Sequence, residues 1–288
     1  MIVLILFVLP ALLYAAVWWS SWRKLRAGAT QELPGVAGAD SATGDAGGVG
    51  RWLLALAIAL HGASLLWPWQ DHAFRFGFAK AMSATVWIGL LLLWLEGLRV
   101  RLDALRLVTR PLAVLVLLLP LAYGGADFGE LASRPLFVPH LVVGTLAYGV
   151  LMLAALDALL MVWVQRDLHR AAGGPPTPLS RWIAGLPPLM VLERMLFRLI
   201  GVGFVLLLLT TLSGLVFSEQ VFGRPLRLEH KTVFSLVALA FFAVLLAGRR
   251  VRGWRGRIAM RFTLAGFGLL LLAYVGTRFV LEVVLGRF

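Results

Sequence analysis

Long apolar runs, separated by shorter polar or basic stretches, recur along this 288-residue chain almost to its last residue. A helix that crosses a bilayer needs about 20 predominantly apolar residues. Eight segments approach or reach that length: residues 2–20, 52–69, 80–98, 111–124, 138–164, 195–217, 232–248 and 262–285. The pattern predicts an all-α fold, with residues 1–288 forming a single polytopic membrane domain of about eight transmembrane helices.

The first and the fourth of these segments differ from the others. No small-residue cleavage pattern follows residues 2–20, so we expect that segment to be retained as a span and not removed as a signal peptide. The fourth segment is short for a span. It becomes adequate if it begins at Leu105, but the side chains of Arg106 and Arg110 must then snorkel towards water.

Composition supports this interpretation and excludes several classes of site. Hydrophobic residues make up 60% of the chain and charged residues only 14%, which leaves too little polar surface for a soluble domain of this size. The net charge of +13 is better explained by cytoplasmic loops that face anionic lipid than by nucleic acid. Because the chain has no cysteine, disulfides, thiolate metal sites and thioether attachment of a cofactor are excluded.

The basic residues predict the orientation. The first, third, fifth and seventh loops and their flanks hold 19 Lys and Arg residues, whereas the second, fourth and sixth hold 6. The positive-inside rule therefore places the odd-numbered loops in the cytoplasm and both termini outside, in a cell inner (plasma) membrane. Two cytoplasmic segments are irregular: residues 27–50 are predicted to be a disordered linker, and residues 173–188, with five prolines, cannot form one continuous helix.

Five histidines are the main candidates for chemistry. His140 and His230 begin the fifth and seventh spans on the outer side, at similar depth, and two imidazoles at one level can ligate one metal, as in a bis-histidine haem. The alternative is that each is an ordinary interfacial histidine. For His72 and His169, which lie in polar loops, a solvated side chain is the simpler interpretation.

His61 lies near the middle of the second span, where a histidine is costly and is by default a candidate functional residue. Gly62 beside it leaves room for a close neighbour, such as a helix or a flat ligand. The competing interpretation is a helix-packing hydrogen bond to a Ser or Thr.

The remaining charges within spans are predicted to be structural. Asp157 and Arg198 have matching depths, so we expect them to form an ion pair between helices. Arg278 and Glu282 are four residues apart, a spacing that places them on one helix face. No phosphate-binding loop, zinc-protease motif or nucleophile elbow is present, so nothing in the sequence predicts catalysis.

From His140 to Glu282 the chain carries a series of short segments in a distinctive order: HLVVGTLAYG at 140–149, LERMLFRLIGVGF at 192–204, TLSG at 211–214, GWRGR at 253–257, LAGF at 264–267 and LAY at 272–274. Their order and spacing resemble the cytochrome c assembly family of haem-handling membrane proteins, the CcsA/CcmC/HemX-like group. The whole layout, with its hydrophobic N-terminal half, looks still more like the HemX/YpjD-type branch.

The sequence also departs from that family. Haem-presenting members carry a tryptophan-rich WWD loop where this chain has residues 218–230, in which Phe222 is the only aromatic residue. The family's second outer histidine and the histidine of the span after the WWD loop have no counterpart. Only His140 matches a family haem-ligand position directly. His61 resembles the intramembrane histidine loosely, and His230 lies within the loop equivalent, where it is a candidate replacement ligand.

The resemblance implies a protein that binds haem non-covalently with His140 as a ligand, and with other cytochrome c maturation proteins as candidate partners. His61, from its loose match, and His230, from its depth and its place in the loop equivalent, are further candidate haem-binding residues. Arg134, Arg224 and Arg227 lie outside and are available to pair with the haem propionates. Such a protein would hold haem without making a bond in it, so we expect no enzyme activity. Two alternatives are a haem-free membrane scaffold or regulator that keeps the family fold, and a transporter or channel for a small solute or ion.

Overall fold

The computed structural model describes residues 2–28, 49–66, 75–97, 103–171, 188–222 and 230–284. It confirms the all-α membrane architecture, since eight helices in this part of the chain are long and apolar enough to cross a bilayer. They are α1 (Ile2–Gly28), α2 (Val49–Leu66), α3 (Phe78–Glu96), α4 (Asp103–Ala122), α6 (Phe137–Ala171), α7 (Leu189–Phe222), α8 (His230–Arg252) and α9 (Arg257–Leu271) with its continuation, while α5 (Gly129–Ala132) is a single turn.

Most helices extend beyond the apolar segments that predicted them. The fourth begins at Asp103, so its longer version is confirmed, with a spanning stretch from Leu105 to Ala122. The expected snorkelling of Arg110 is wrong, because its side chain is only 2% exposed and its Nη1 donates a 2.9 Å hydrogen bond to Ser21 Oγ on α1. Arg106 instead lies against Gly97 at the end of α3, where any side chain at that glycine would collide with its guanidinium.

The core divides into two packed clusters. One is formed mainly by α6, α7, α8 and α9, and the other by α1, α2, α3 and α4. The clusters meet where α3 crosses α6. There, a side-chain carbon at Gly149 would clash with Ile88, and one at Gly89 would clash with Met152. Close approach of the two helices therefore depends on a glycine from each.

Two features of the fold were not predicted. A two-residue ribbon pairs β1 (Arg75–Phe76) with β2 (Ala126–Asp127) in antiparallel register and joins the segment before α3 to the segment after α4. The last span is also interrupted: α9 passes into a π-helical turn at Leu272–Gly276, a short α-helical stretch at Thr277–Phe279 and a second π-helical turn at Val280–Val284.

Several predictions concern positions outside the described residues. They include most of the 27–50 linker, whose last two residues instead begin α2, and nearly all of the proline-rich segment 173–188. His72, Arg224 and Arg227 lie outside as well. For His169, Arg278 and Glu282, only the backbone is described.

Candidate functional site

His140 lies in the first turn of α6 and is held against α7. Its ring is half-buried, and its Nδ1 lies 2.9 Å from Ser213 Oγ. The Ser213 hydroxyl in turn donates to the Thr210 carbonyl oxygen at 3.1 Å. When Ser213 gives its one hydrogen to that carbonyl, it accepts from an Nδ1–H of His140. In that tautomer the lone pair is on Nε2, which is the form in which an imidazole binds a metal.

Glycines allow this contact between α6 and α7. A side-chain carbon at Gly214 would lie 3.1 Å from His140 Cε1, and one at Gly144 would lie 3.2 Å from Thr210 Cγ2. Both separations are closer than ordinary van der Waals contact. The segments at 140–149 and 211–214, which were noted separately in the sequence, therefore form one interface whose smallest residues set the position of the His140 ring.

Further along α6, Tyr148 connects this interface to the last span. Its hydroxyl donates a 2.7 Å hydrogen bond to the Leu270 carbonyl, just before the π-helical turn at Leu272–Gly276. Tyr274, within that turn, packs against Phe76 of β1 with ring centroids 6.3 Å apart. This half of the bundle thus combines a fixed histidine, two tyrosines and a local break in the regular helix ladder, a feature that is frequent at functional sites.

His230 is the exposed first residue of α8. Lys231, which follows it, is within electrostatic range of His140, so the beginnings of α6 and α8 lie at the same end of the bundle. That arrangement is compatible with a site between the two histidines. Ligation of one iron by both of them stays a prediction.

His61 is completely buried and has a partner on each ring nitrogen. Its Nδ1 lies 3.3 Å from the Tyr14 hydroxyl of α1, and its Nε2 lies 2.9 Å from Ser83 Oγ of α3. The space beside Gly62 is taken by the Trp87 ring, 2.8 Å from where a side-chain carbon would stand. The structure therefore favours the interhelical hydrogen bond over a flat ligand as the role of His61.

The predicted ion pair between Asp157 and Arg198 is wrong. Nη2 of Arg198 lies 2.9 and 3.0 Å from the two carboxylate oxygens of Glu96, at the end of α3. Asp157 is fully buried, and neither of its carboxyl oxygens has a hydrogen-bond partner. Matching depth was not sufficient, because the Arg198 side chain is 57% exposed on the surface of the bundle whereas Asp157 faces its interior.

Sequence reasoning did not find the groups that position the histidines. Tyr14 is the only tyrosine of the first span, and Ser83 is one of three polar residues near the start of the third, but neither has a spacing that marks it. Ser213 belongs to the TLSG segment, but nothing in that segment indicates its contact with His140. Within the described ranges, no three His, Asp or Glu side chains converge on a common metal-binding point.

Comparison with known proteins places this arrangement in a family. The sequence model of the cytochrome C assembly protein family matches residues 47–285. The inner membrane protein YpjD of Escherichia coli is 34% identical over 155 residues, which is 54% of this chain and 56% of YpjD. A 28.8 kDa protein of Azospirillum brasilense is 35% identical over 147 residues, or 51% of this chain and 52% of that protein.

A more distant similarity is to the cytochrome c biogenesis protein CcsA of Thermosynechococcus vestitus, 32% identical over 85 residues, which is 30% of this chain and 27% of CcsA. The matched regions thus span about half the length of the first two relatives and less of CcsA. The family model, in contrast, extends over most of this chain, from the start of α2 to the end of the last span. The chain is a multi-pass membrane protein and belongs to the cytochrome c assembly protein family.

Proposed function

We propose that this protein binds haem in the outer half of the bundle and takes part in cytochrome c assembly, with His140 as a residue that would hold the haem iron. The observation that supports the proposal is the Ser213 hydroxyl, 2.9 Å from Nδ1 of His140, which as an acceptor leaves the lone pair on Nε2. Metal-ligating histidines are typically oriented in this way by a partner on the other ring nitrogen. The name of the CcsA relatives, cytochrome c biogenesis protein, supports the proposed part in cytochrome c assembly.

When bound, haem would supply an iron that accepts axial ligands and changes oxidation state. His140 Nε2 would bind the iron from α6, and His230, at the start of α8, is the candidate for the second position. The exposed Arg134 precedes α6 and is available for a propionate, since arginine pairs well with carboxylates. With no cysteine in the chain, attachment would be non-covalent. The protein would hold haem without catalysing a reaction.

A second candidate function, a haem-free scaffold in the membrane, rests on His61. Both of its ring nitrogens are engaged within the bundle, so this arrangement offers no intramembrane ligand. The two functions differ in whether the His140 site binds iron. They share the fold and the membrane location.

The visible spectrum of the purified protein, after reconstitution with haem, tests the proposal. We expect a Soret band in the wild-type protein that His140→Ala removes or shifts. His72→Ala, at a histidine that the sequence predicts to lie in a polar loop, serves as the control and should leave the band unchanged. A wild-type protein that gives no band under these conditions would favour the scaffold, and a band that survives His140→Ala unaltered would exclude His140 as the ligand.

A further inference from the structure

Seven arginines gather where α7 begins, α8 ends and α9 begins. We refer to them as the basic rim: Arg194, Arg249, Arg250, Arg252, Arg255, Arg257 and Arg261. All except Arg249 are exposed. Two contacts tie the group to α7: Arg255 Nε lies 3.6 Å from Glu193 Oε1, and the Arg249 guanidinium lies 3.5 Å from the centre of the Phe197 ring. Glu193 is the only acid with a described ion pair to a rim arginine, so the rim keeps a large positive charge.

The turn that presents these arginines is held in one conformation. Gly253 has a φ of +67°, and its N–H bonds the Arg249 carbonyl at 3.1 Å, which closes α8 with a left-handed cap. The next residue, Trp254, donates its N–H to the Gly248 carbonyl at 3.3 Å, and its ring covers Gly248 so closely that no side chain fits there. The rim is therefore a defined surface and not a loose basic loop.

Arg249 differs from the other rim arginines. Its guanidinium stacks on Phe197, and its Nη1 is shielded from solvent with no hydrogen-bond acceptor in the described structure. A shielded cationic donor without an acceptor is unfavourable, and an anionic oxygen is the partner that best compensates it. Phosphate oxygens suit arginine particularly well because they accept two N–H donors at once.

An apolar stripe leads away from the rim along α8. Val237, Val244 and Val251 are spaced by seven residues and are all exposed, with Val251 the most exposed at 81%. The ligand that matches a cluster of cations at the end of a spanning helix, continued by an apolar stripe along its side, is an amphiphile with an anionic head. Trp254 lies beside the rim, and tryptophan is enriched at the level of lipid headgroups.

From these observations we infer that the basic rim binds an anionic phospholipid of the adjacent leaflet. The phosphate lies among the arginines around Arg249, and an acyl chain follows the valine stripe of α8. Basic pockets between spanning helices are known to bind anionic headgroups in this way. The rim is at the opposite end of α8 from His230, so this lipid site is separate from the haem site proposed above and does not depend on it.

The thermal unfolding midpoint of the full-length protein in detergent tests the inference. Three probes are compared at matched concentration: phosphatidylglycerol, phosphatidylcholine and inorganic phosphate. We expect phosphatidylglycerol to raise Tm by about 3 °C or more above the other two, the size expected for a site filled at roughly ten times its dissociation constant.

Paired variants distinguish lipid binding at the basic rim from general electrostatic attraction between the lipid and the protein. Arg250→Gln with Arg257→Gln removes two exposed rim charges and should at least halve the phosphatidylglycerol effect. Arg23→Gln with Arg51→Gln removes two exposed charges at the same end of the bundle, on α1 and α2, and should leave it intact. Arg249→Lys keeps the charge but removes the planar stack, and should also weaken the effect.

Two results would overturn the inference. If both double variants lose the effect equally, the lipid responds to diffuse charge and the rim is not a site. If inorganic phosphate reproduces the rise in Tm, the rim binds a free anion and the acyl chain contributes nothing. The double variant Arg250→Gln with Arg257→Gln alters no described core contact. Its folding can therefore be checked independently from its Tm without lipid.

Discussion

Arg110 of α4 donates a part-buried hydrogen bond of 2.9 Å to Ser21 of α1, a residue 89 positions away in sequence. An arginine that is 2% exposed is costly unless its donors are satisfied. We therefore expect Ser21→Ala to lower the free energy of unfolding by about 1–3 kcal/mol. Ser20→Ala is the matched control, because the Ser20 hydroxyl bonds only the Val17 carbonyl of its own helix in the described contacts. Equal loss of Tm in the two variants would show that the bond to Arg110 adds nothing.

His61 of α2 lies within hydrogen-bond distance of Tyr14 of α1 and Ser83 of α3, so its contacts should stabilise the packing of these three helices. Ser83→Ala removes the partner of Nε2 on α3 and should destabilise the protein by about 1–2 kcal/mol. Ser64→Ala removes a hydroxyl that bonds only the His61 backbone carbonyl within α2, so a smaller loss is expected. In a double-mutant cycle, Ser83→Ala and His61→Ala should be strongly non-additive. Additive losses would show that the two residues act independently.

Asp157 should be dispensable for stability. Its carboxyl group is buried with no hydrogen-bond partner, so Asp157→Asn removes an acid that the bundle does not satisfy. We expect an unchanged or higher Tm. Its effect should add to that of Arg198→Gln, whereas Glu96→Gln and Arg198→Gln should be coupled, by only about 0.2–1 kcal/mol because the pair is largely exposed. A marked loss of Tm in Asp157→Asn would indicate a partner that the structure does not show.

Gly214 should control the position of His140. A methyl group there would lie 3.1 Å from His140 Cε1, so Gly214→Ala is expected to displace the ring and shift the spectrum of bound haem. Gly201→Ala makes the same change on the same helix in open space, with nothing within 4 Å, and should leave the spectrum unaltered. If neither variant shifts the spectrum, the ring at 140 does not contact the haem iron.

The orientation of the bundle can be measured by cysteine labelling, since the chain has no native cysteine. Ser133 and Arg255 are both exposed and lie at opposite ends of the spans. From the distribution of basic residues we expect Ser133→Cys to react with an impermeant reagent in intact cells. Arg255→Cys should react only after the membrane is permeabilised. The reverse pattern would invert the topology.

Hydrophobic length was sufficient to predict the eight helices, because a bilayer demands about 20 apolar residues whatever their neighbours are. It was not sufficient for Arg110 or Asp157, whose roles depend on which helix face meets which neighbour. His140 could be singled out because it begins a span and matches a family position. Its partner Ser213 could not, since 73 residues separate them and serine is common in membrane helices. The π-helical turns leave no mark in the apolar pattern, and so the break near Tyr274 was missed.

The turn at Leu272–Gly276 has a consequence for how this span compares with those of other proteins. A π-helical turn, closed between residues five apart, accommodates one residue more than an α-helical turn. Thr277–Phe279 are therefore out of phase with α9 by about one position, or roughly 100° around the axis. Phe279 packs edge-on against Phe78 at 5.6 Å in this shifted phase. A relative lacking that one residue would pass this point as a regular α-helix, and an alignment without a gap would pair its next residues with the wrong face of this span.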